Sequence, residues 1–363
     1  MIKVINNIKS IKVFTNYEMY ENNRYVEVLP ALISFSEKSI LNGSSEALMQ
    51  LYDTQLLYDL LDKPIIQIQI KYNDTIEQFN YGLEYSNVVT DEMNRSILRL
   101  NLAPVHSVYR RMFSKSFSNN ATQVITECVD ALYEYMPLIK PKLSSTNIRI
   151  PPACLSGTYD YIFNYIRDNG QSVEMSDWCY VWEDGSSIYM QNHYSMINQT
   201  PLIGYKYNVN NPFVGDTILF TKAEYIMRTD NKTDYQNTSF YSFSLDDKTL
   251  YYDSLANVDS ENRWVMSNRT FNYQDNYQNP TPSGLPYTVD KIKTLASFEQ
   301  RIKFDINQGR LDLRVGSILE IRGSEYNGVY LVVECVRDMS KDAHIQTIEC
   351  VRIKDLINLS SGS

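Results

Sequence analysis

Hydrophobic and polar residues alternate with period two over much of this chain, most clearly near its end. Between Ile302 and Ile353, runs rich in β-branched and aromatic residues at 311–315, 318–322, 328–337 and 345–353 are separated by Gly, Asp and Ser. That is the pattern of an antiparallel meander. Ile318, Glu320 and Arg322 oppose Leu319 and Ile321, and Ile345, Thr347 and Glu349 oppose Gln346, Ile348 and Cys350, so each strand has a core face and a wet face. A meander of about 50 residues leaves edges that it cannot bury alone, which predicts a small closed barrel with a partner.

The N-terminal third repeats the style. Residues 8–14 alternate as a strand, and 24–35 as a second with Pro30 inside it; a proline lacks the ladder donor, so that strand is expected to bend or lie at an edge. Ala47 to Leu61 fits either an amphipathic helix or a strand ending at Asp53 followed by one helical turn. Residues 65–70 read as an unambiguous strand after Pro64, and 79–87 and 96–102 add two more.

The middle changes period. Asn119 and Asn120 can cap a helix with the stripe Val124, Cys128, Leu132, Met136, ended by Pro137. A second helix begins after Gly157 and is expected to stop at Asp168, Asn169 and Gly170 with a left-handed glycine. Asp177 to Met190 reads as a hairpin turning at Asp184 and Gly185. Residues 227–286 shift to Tyr, Asn, Asp and Ser and read as a satellite domain or a long surface loop. A helix is expected from Thr288 through Ile292, Leu295, Ala296 and Glu299.

Composition narrows the function. The 363 residues carry a net charge of −9 without a cluster of five basic residues, which argues against gripping nucleic acid through its phosphates. No apolar run reaches the roughly 18 residues of a membrane span, and the N-terminus is too polar for a signal peptide. Five cysteines (Cys128, Cys154, Cys179, Cys335, Cys350) lack CxxC spacing and histidine neighbours, and read as reduced core residues. The 29 tyrosines fit a surface made for protein partners as well as they fit a compositional habit.

Candidate chemistry is sparse. His106, His193 and His344 lie in different neighbourhoods, and no GxSxG, HExxH, P-loop or dinucleotide fingerprint is present. No catalytic residue, cofactor or metal site is predicted. The exception that invites a test is Trp178, Tyr180 and Trp182 with Glu183 and Asp184, three aromatics on one strand face beside a carboxylate pair, as in the sugar platform of a peptidoglycan-degrading enzyme. Two carboxyls adjacent at a turn suit poorly the separation of about 5 to 9 Å that glycoside hydrolysis needs, so core packing of the hairpin is the preferred reading.

Several segments carry a family resemblance. SIKVFTNYEMYENNRYVEV (10–28), ALMQLYDTQ (47–55) and IIQIQI (65–70), then APVHSVYRRMFSKSF (103–117), DWCYVWED (177–184) with YSMINQTPLIG (194–204), and KIKTLASFEQRIKFDINQGRLDLRVGSILEI (291–321) resemble, in collinear order, the central baseplate hub protein of T-even and related contractile-tailed bacteriophages. The likeness is weakest from 227 to 286. It implies a mainly β fold with an α+β insert: two similar small antiparallel β-barrels per chain plus smaller α+β domains. The expected division is a first barrel from 1–110 completed by 200–226, an insert at 111–199, a satellite or connector at 227–300, a second barrel at 301–356 and a tail at 357–363.

The same resemblance implies a non-enzymatic homotrimer in the tail baseplate of a virion, built in the host cytoplasm. Its partners would be a central spike or tail lysozyme protein, tail tube or tube-initiator proteins and other baseplate proteins, with DNA only in passage. A hub of a phage-derived contractile injection device is the neighbouring alternative; such chains continue into a needle, and this one ends at Ser363, which points to a separate spike protein. The acidic balance suits a channel through which DNA slides without being held.

Overall fold

The fold is that of a computed structural model, which describes residues 6–52, 57–72, 75–105, 113–117, 120–133, 140–143, 147–150, 153–172, 178–208, 217–227, 238–244, 249–254, 264–267, 300–340 and 343–353. Strands dominate: β1 (Asn6–Phe14), β2 (Val26–Glu27), β3 (Leu32–Ile40), β4 (Glu46–Tyr52), β5 (Ile65–Tyr72), β6 (Thr75–Thr90) and β7 (Ser96–Pro104) form the N-terminal part. They run in the order β2-β1-β5-β6-β7-β4-β3, every ladder antiparallel. Pro30 falls in a 3-10 turn, Leu29–Ala31, so the predicted second strand is split in two. Its first piece bonds to β1, with Val28 N donating to Ile11 O at 2.9 Å, and its second piece to β4; the bend thereby wraps the sheet around one core. In β4, Ala47, Met49 and Leu51 are buried while their neighbours are not, which settles the strand-or-helix ambiguity in favour of the strand.

The insert is α+β, as expected. It contains β8 (Phe113–Phe117), β9 (Lys140–Leu143), β10 (Ile148–Arg149), β11 (Ala153–Gly157), β12 (Gln171–Ser172) and the hairpin of β13 (Cys179–Asp184) and β14 (Ser187–Asn192). Helix Ala121–Tyr133 begins at Asn120, whose Oδ1 accepts from Gln123 N at 3.1 Å. Helix Tyr159–Asn169 is capped by Thr158 and ends at Gly170 with φ −76°. The stop is therefore extended rather than left-handed, and glycine is required there for space: a Cβ would lie 2.4 Å from Cys179 Sγ.

The second barrel holds β15 (Leu202–Lys206), β16 (Ile218–Met227), β20 (Gln300–Ile306), β21 (Ile318–Arg322), β22 (Gly328–Met339) and β23 (His344–Arg352), closed in the order β22-β21-β15-β16-β20-β23 by the β22–β23 ladder. Residues 200–226, expected to complete the first barrel, pair here instead: β15 runs parallel to β21 and β16, and β16 antiparallel to β20. The two barrels thus differ in strand direction as well as in sequence. Residues 311–315 form no strand. Leu311 is buried in the first core while Leu313 and Val315 enter the second, so their alternation records a segment threaded between two cores.

Between these parts, β17 (Thr238–Ser244), β18 (Thr249–Ser254) and β19 (Trp264–Ser267) make a three-stranded sheet in the satellite region. The helix expected from Thr288, His106 and the tail 357–363 lie outside the described residues. No described helix is long and apolar enough to cross a membrane. Cys128, Cys179, Cys335 and Cys350 are buried free thiols, and burial pushes the Cys335 and Cys350 thiols above their ordinary range.

Candidate functional site: the junction between the barrels

The barrels share a wall. Strand β3 pairs with β22 from Glu334–Ile40 to Met339–Phe35, which makes one continuous sheet of thirteen strands. Inside that ladder lies an opposite-charge pair: Glu37 and Arg337 face each other, Oε2 to Nη1 2.8 Å, with side chains 0% and 2% exposed. Both occupy core-facing positions, Glu37 between Phe35 and Ser39 and Arg337 between Cys335 and Met339, all buried. Such a pair is costly to dehydrate, a cost offset by partners for its other polar atoms, which all but Arg337 Nε find among the described residues.

Those partners come from all three parts of the molecule. Tyr81 of β6 donates to Glu37 Oε1 at 2.6 Å, and Gly185 N, at the tip of the β13–β14 hairpin, donates to the same oxygen at 3.2 Å. Burial, then the Glu37 charge, raises the Tyr81 phenol well above its ordinary value, so it remains a donor. Arg337 Nη2 reaches Leu313 O at 3.4 Å, which also accepts from Gln346 Nε2 at 2.6 Å. The hairpin tip closes the joint from above, since Asn80 N of β6 donates to Gly185 O at 2.7 Å.

A second ion cluster lies beside the first. Arg314, from the threaded segment, pairs with Glu77 of β6 at 3.0 Å and with Asp184 at 3.5 Å, and also meets the Tyr189 hydroxyl. Lys142 approaches Glu77 at 4.0 Å. Burial alone would raise the Asp184 carboxyl, but Arg314 and Arg337 outweigh it and hold that group below its usual range. The tip residue Asp184 further accepts from Ser186 N and Ser187 N at 2.9 and 3.0 Å. One hairpin therefore bonds to β3, β6 and the threaded segment at once, which fixes both barrels and the insert relative to one another.

The aromatic platform is consumed by packing. Trp178, Tyr180 and Trp182 do share a face, and that face is buried in the second core, while Cys179 and Val181 on the other face enter the core of the insert. Trp182 stacks on Tyr189 at 5.1 Å, and Trp178 on His193 at 4.4 Å. Glu183 is 4% exposed and Asp184 6%, so neither presents a carboxylate to a sugar. Among the described residues no three His, Cys, Asp or Glu side chains are arranged to hold a metal ion. A cavity of about 430 Å³ at the mouth of the first barrel, lined by Val28, Pro30, Leu51 and Leu57, contains the carboxylate of Glu27, which already accepts from Ile11 N and Leu29 N.

The hairpin and its turn are legible in the sequence, whereas Glu37, Arg337 and Arg314 do not stand out in it. One signal was available: Glu37 and Arg337 both fall on the apolar parity of their strands, and two buried positions of opposite charge predict each other.

Comparison with known proteins agrees with this architecture. A family model described as baseplate structural protein, domain 1, matches residues 2–193. A search of curated proteins finds no match. Among solved structures, a tail protein from Neisseria meningitidis MC58 is similar over 96% of each chain with a TM-score of 0.61 and 8% identity. The prophage MuSo2 43 kDa tail protein from Shewanella oneidensis is similar over 96% of this chain and 98% of its own, with a TM-score of 0.54 and 9% identity. An Escherichia coli protein described as a component of the type VI secretion system, with structural similarity to bacteriophage T4 tail proteins, is similar over 89% and 73% at a TM-score of 0.50 and 8% identity. At these identities the likeness is one of fold.

Proposed function

The chain belongs to the family of baseplate structural proteins, and on that premise we propose that it is the central hub of a contractile phage tail, a homotrimer whose six barrels form a ring around the DNA ejection channel. The observation that carries this reading is the shared β3–β22 wall. It holds the seven-stranded N-terminal sheet and the closed six-stranded barrel of every chain in fixed relation, so three copies around an axis are three-fold by sequence and, with the two parts alike in size, nearly six-fold by shape. Such a ring adapts a three-fold spike on one side to a six-fold tail tube on the other.

In this reading the residues do mechanical work. The ion pairs and the hairpin tip keep the angle between barrels constant while partners load the ring, and the net charge of −9 disfavours retention of DNA in the channel. A channel lined mainly by Lys and Arg would overturn the electrostatic part. The spike, the tail tube and other baseplate proteins are the partners. The test of assembly is mass in solution by light scattering: three copies of a 42.2 kDa chain give about 127 kDa.

A further inference from the structure

We draw no further inference here: the strongest candidate, the cavity of about 430 Å³ at the mouth of the first barrel between Val28, Leu51, Leu57 and Leu98, carries none, because nothing in the structure shows what covers it.

Discussion

Arg337 and Glu37 lie opposite each other in the ladder that joins the barrels, 2.8 Å apart and almost wholly excluded from water, although 300 residues separate them in the chain. Removing one charge leaves the other buried without its counter-ion. Glu37→Gln is expected to lower stability by roughly 3 to 5 kcal/mol, read as a shift of the denaturant midpoint. Pairing Glu37→Leu with Arg337→Met removes both charges and is expected to restore a substantial part of that loss. A double variant no more stable than the single one would show that the Tyr81 and Gly185 bonds to Glu37, rather than the charges, hold the joint.

Gly185 tests the keystone independently. A Cβ there would lie 2.3 Å from Cζ and the hydroxyl of Tyr81, a contact that the buried ring cannot yield without breaking its bond to Glu37. Gly185→Ala is expected to lift the hairpin tip, and hydrogen exchange is expected to rise at Asn80 and across β13 and β14 while the far side of the second barrel is unchanged. Unchanged exchange at Asn80 would remove the hairpin from the joint.

Acid stability has a definite sign. Burial lowers the His193 imidazole to about 4, and burial with the Arg337 charge lowers that of His344 to about 3. Neither His344 ring nitrogen has a hydrogen-bond partner among the described residues. Both histidines are neutral in the native state and take up protons near pH 6.5 when unfolded. Their contribution is complete above that pH and is lost as pH falls from 6.5 toward 4, by about 2 kcal/mol each at pH 5. The melting temperature is expected to fall over this interval, and His344→Gln to flatten the slope whatever it does to absolute stability.

The buried platform makes a prediction of its own. With Trp178, Tyr180 and Trp182 in a core, the purified protein is expected to leave the turbidity of a peptidoglycan suspension unchanged. Clearing that disappears on Glu183→Gln would make the chain an enzyme. Trp182→Ala, by contrast, is expected to cost roughly 3 to 5 kcal/mol through the cavity that it opens.

Local pattern went far here, and where it stopped is physically intelligible. Strands β5, β7, β21 and β23, the hairpin turn at Asp184 and Gly185 and both helices of the insert were visible in periodicity and capping residues. What was not visible depends on partners distant in the chain. Residues 200–226 were expected to complete the first barrel, yet their strands pair with β21 and β20 of the second, a choice that local pattern does not encode. Leu311, Leu313 and Val315 alternate as a strand does, yet two different cores produce that alternation. Glu37 and Arg337 stood at core parity in their own strands, and only the β3–β22 register shows that each explains the other.

The ring itself is best tested by negative-stain imaging of the purified protein. Class averages with six lobes around a central hole, alternating so that the symmetry is three-fold, are the predicted result. Single particles with two lobes and no ring, at a concentration where light scattering finds one species, would contradict the hub.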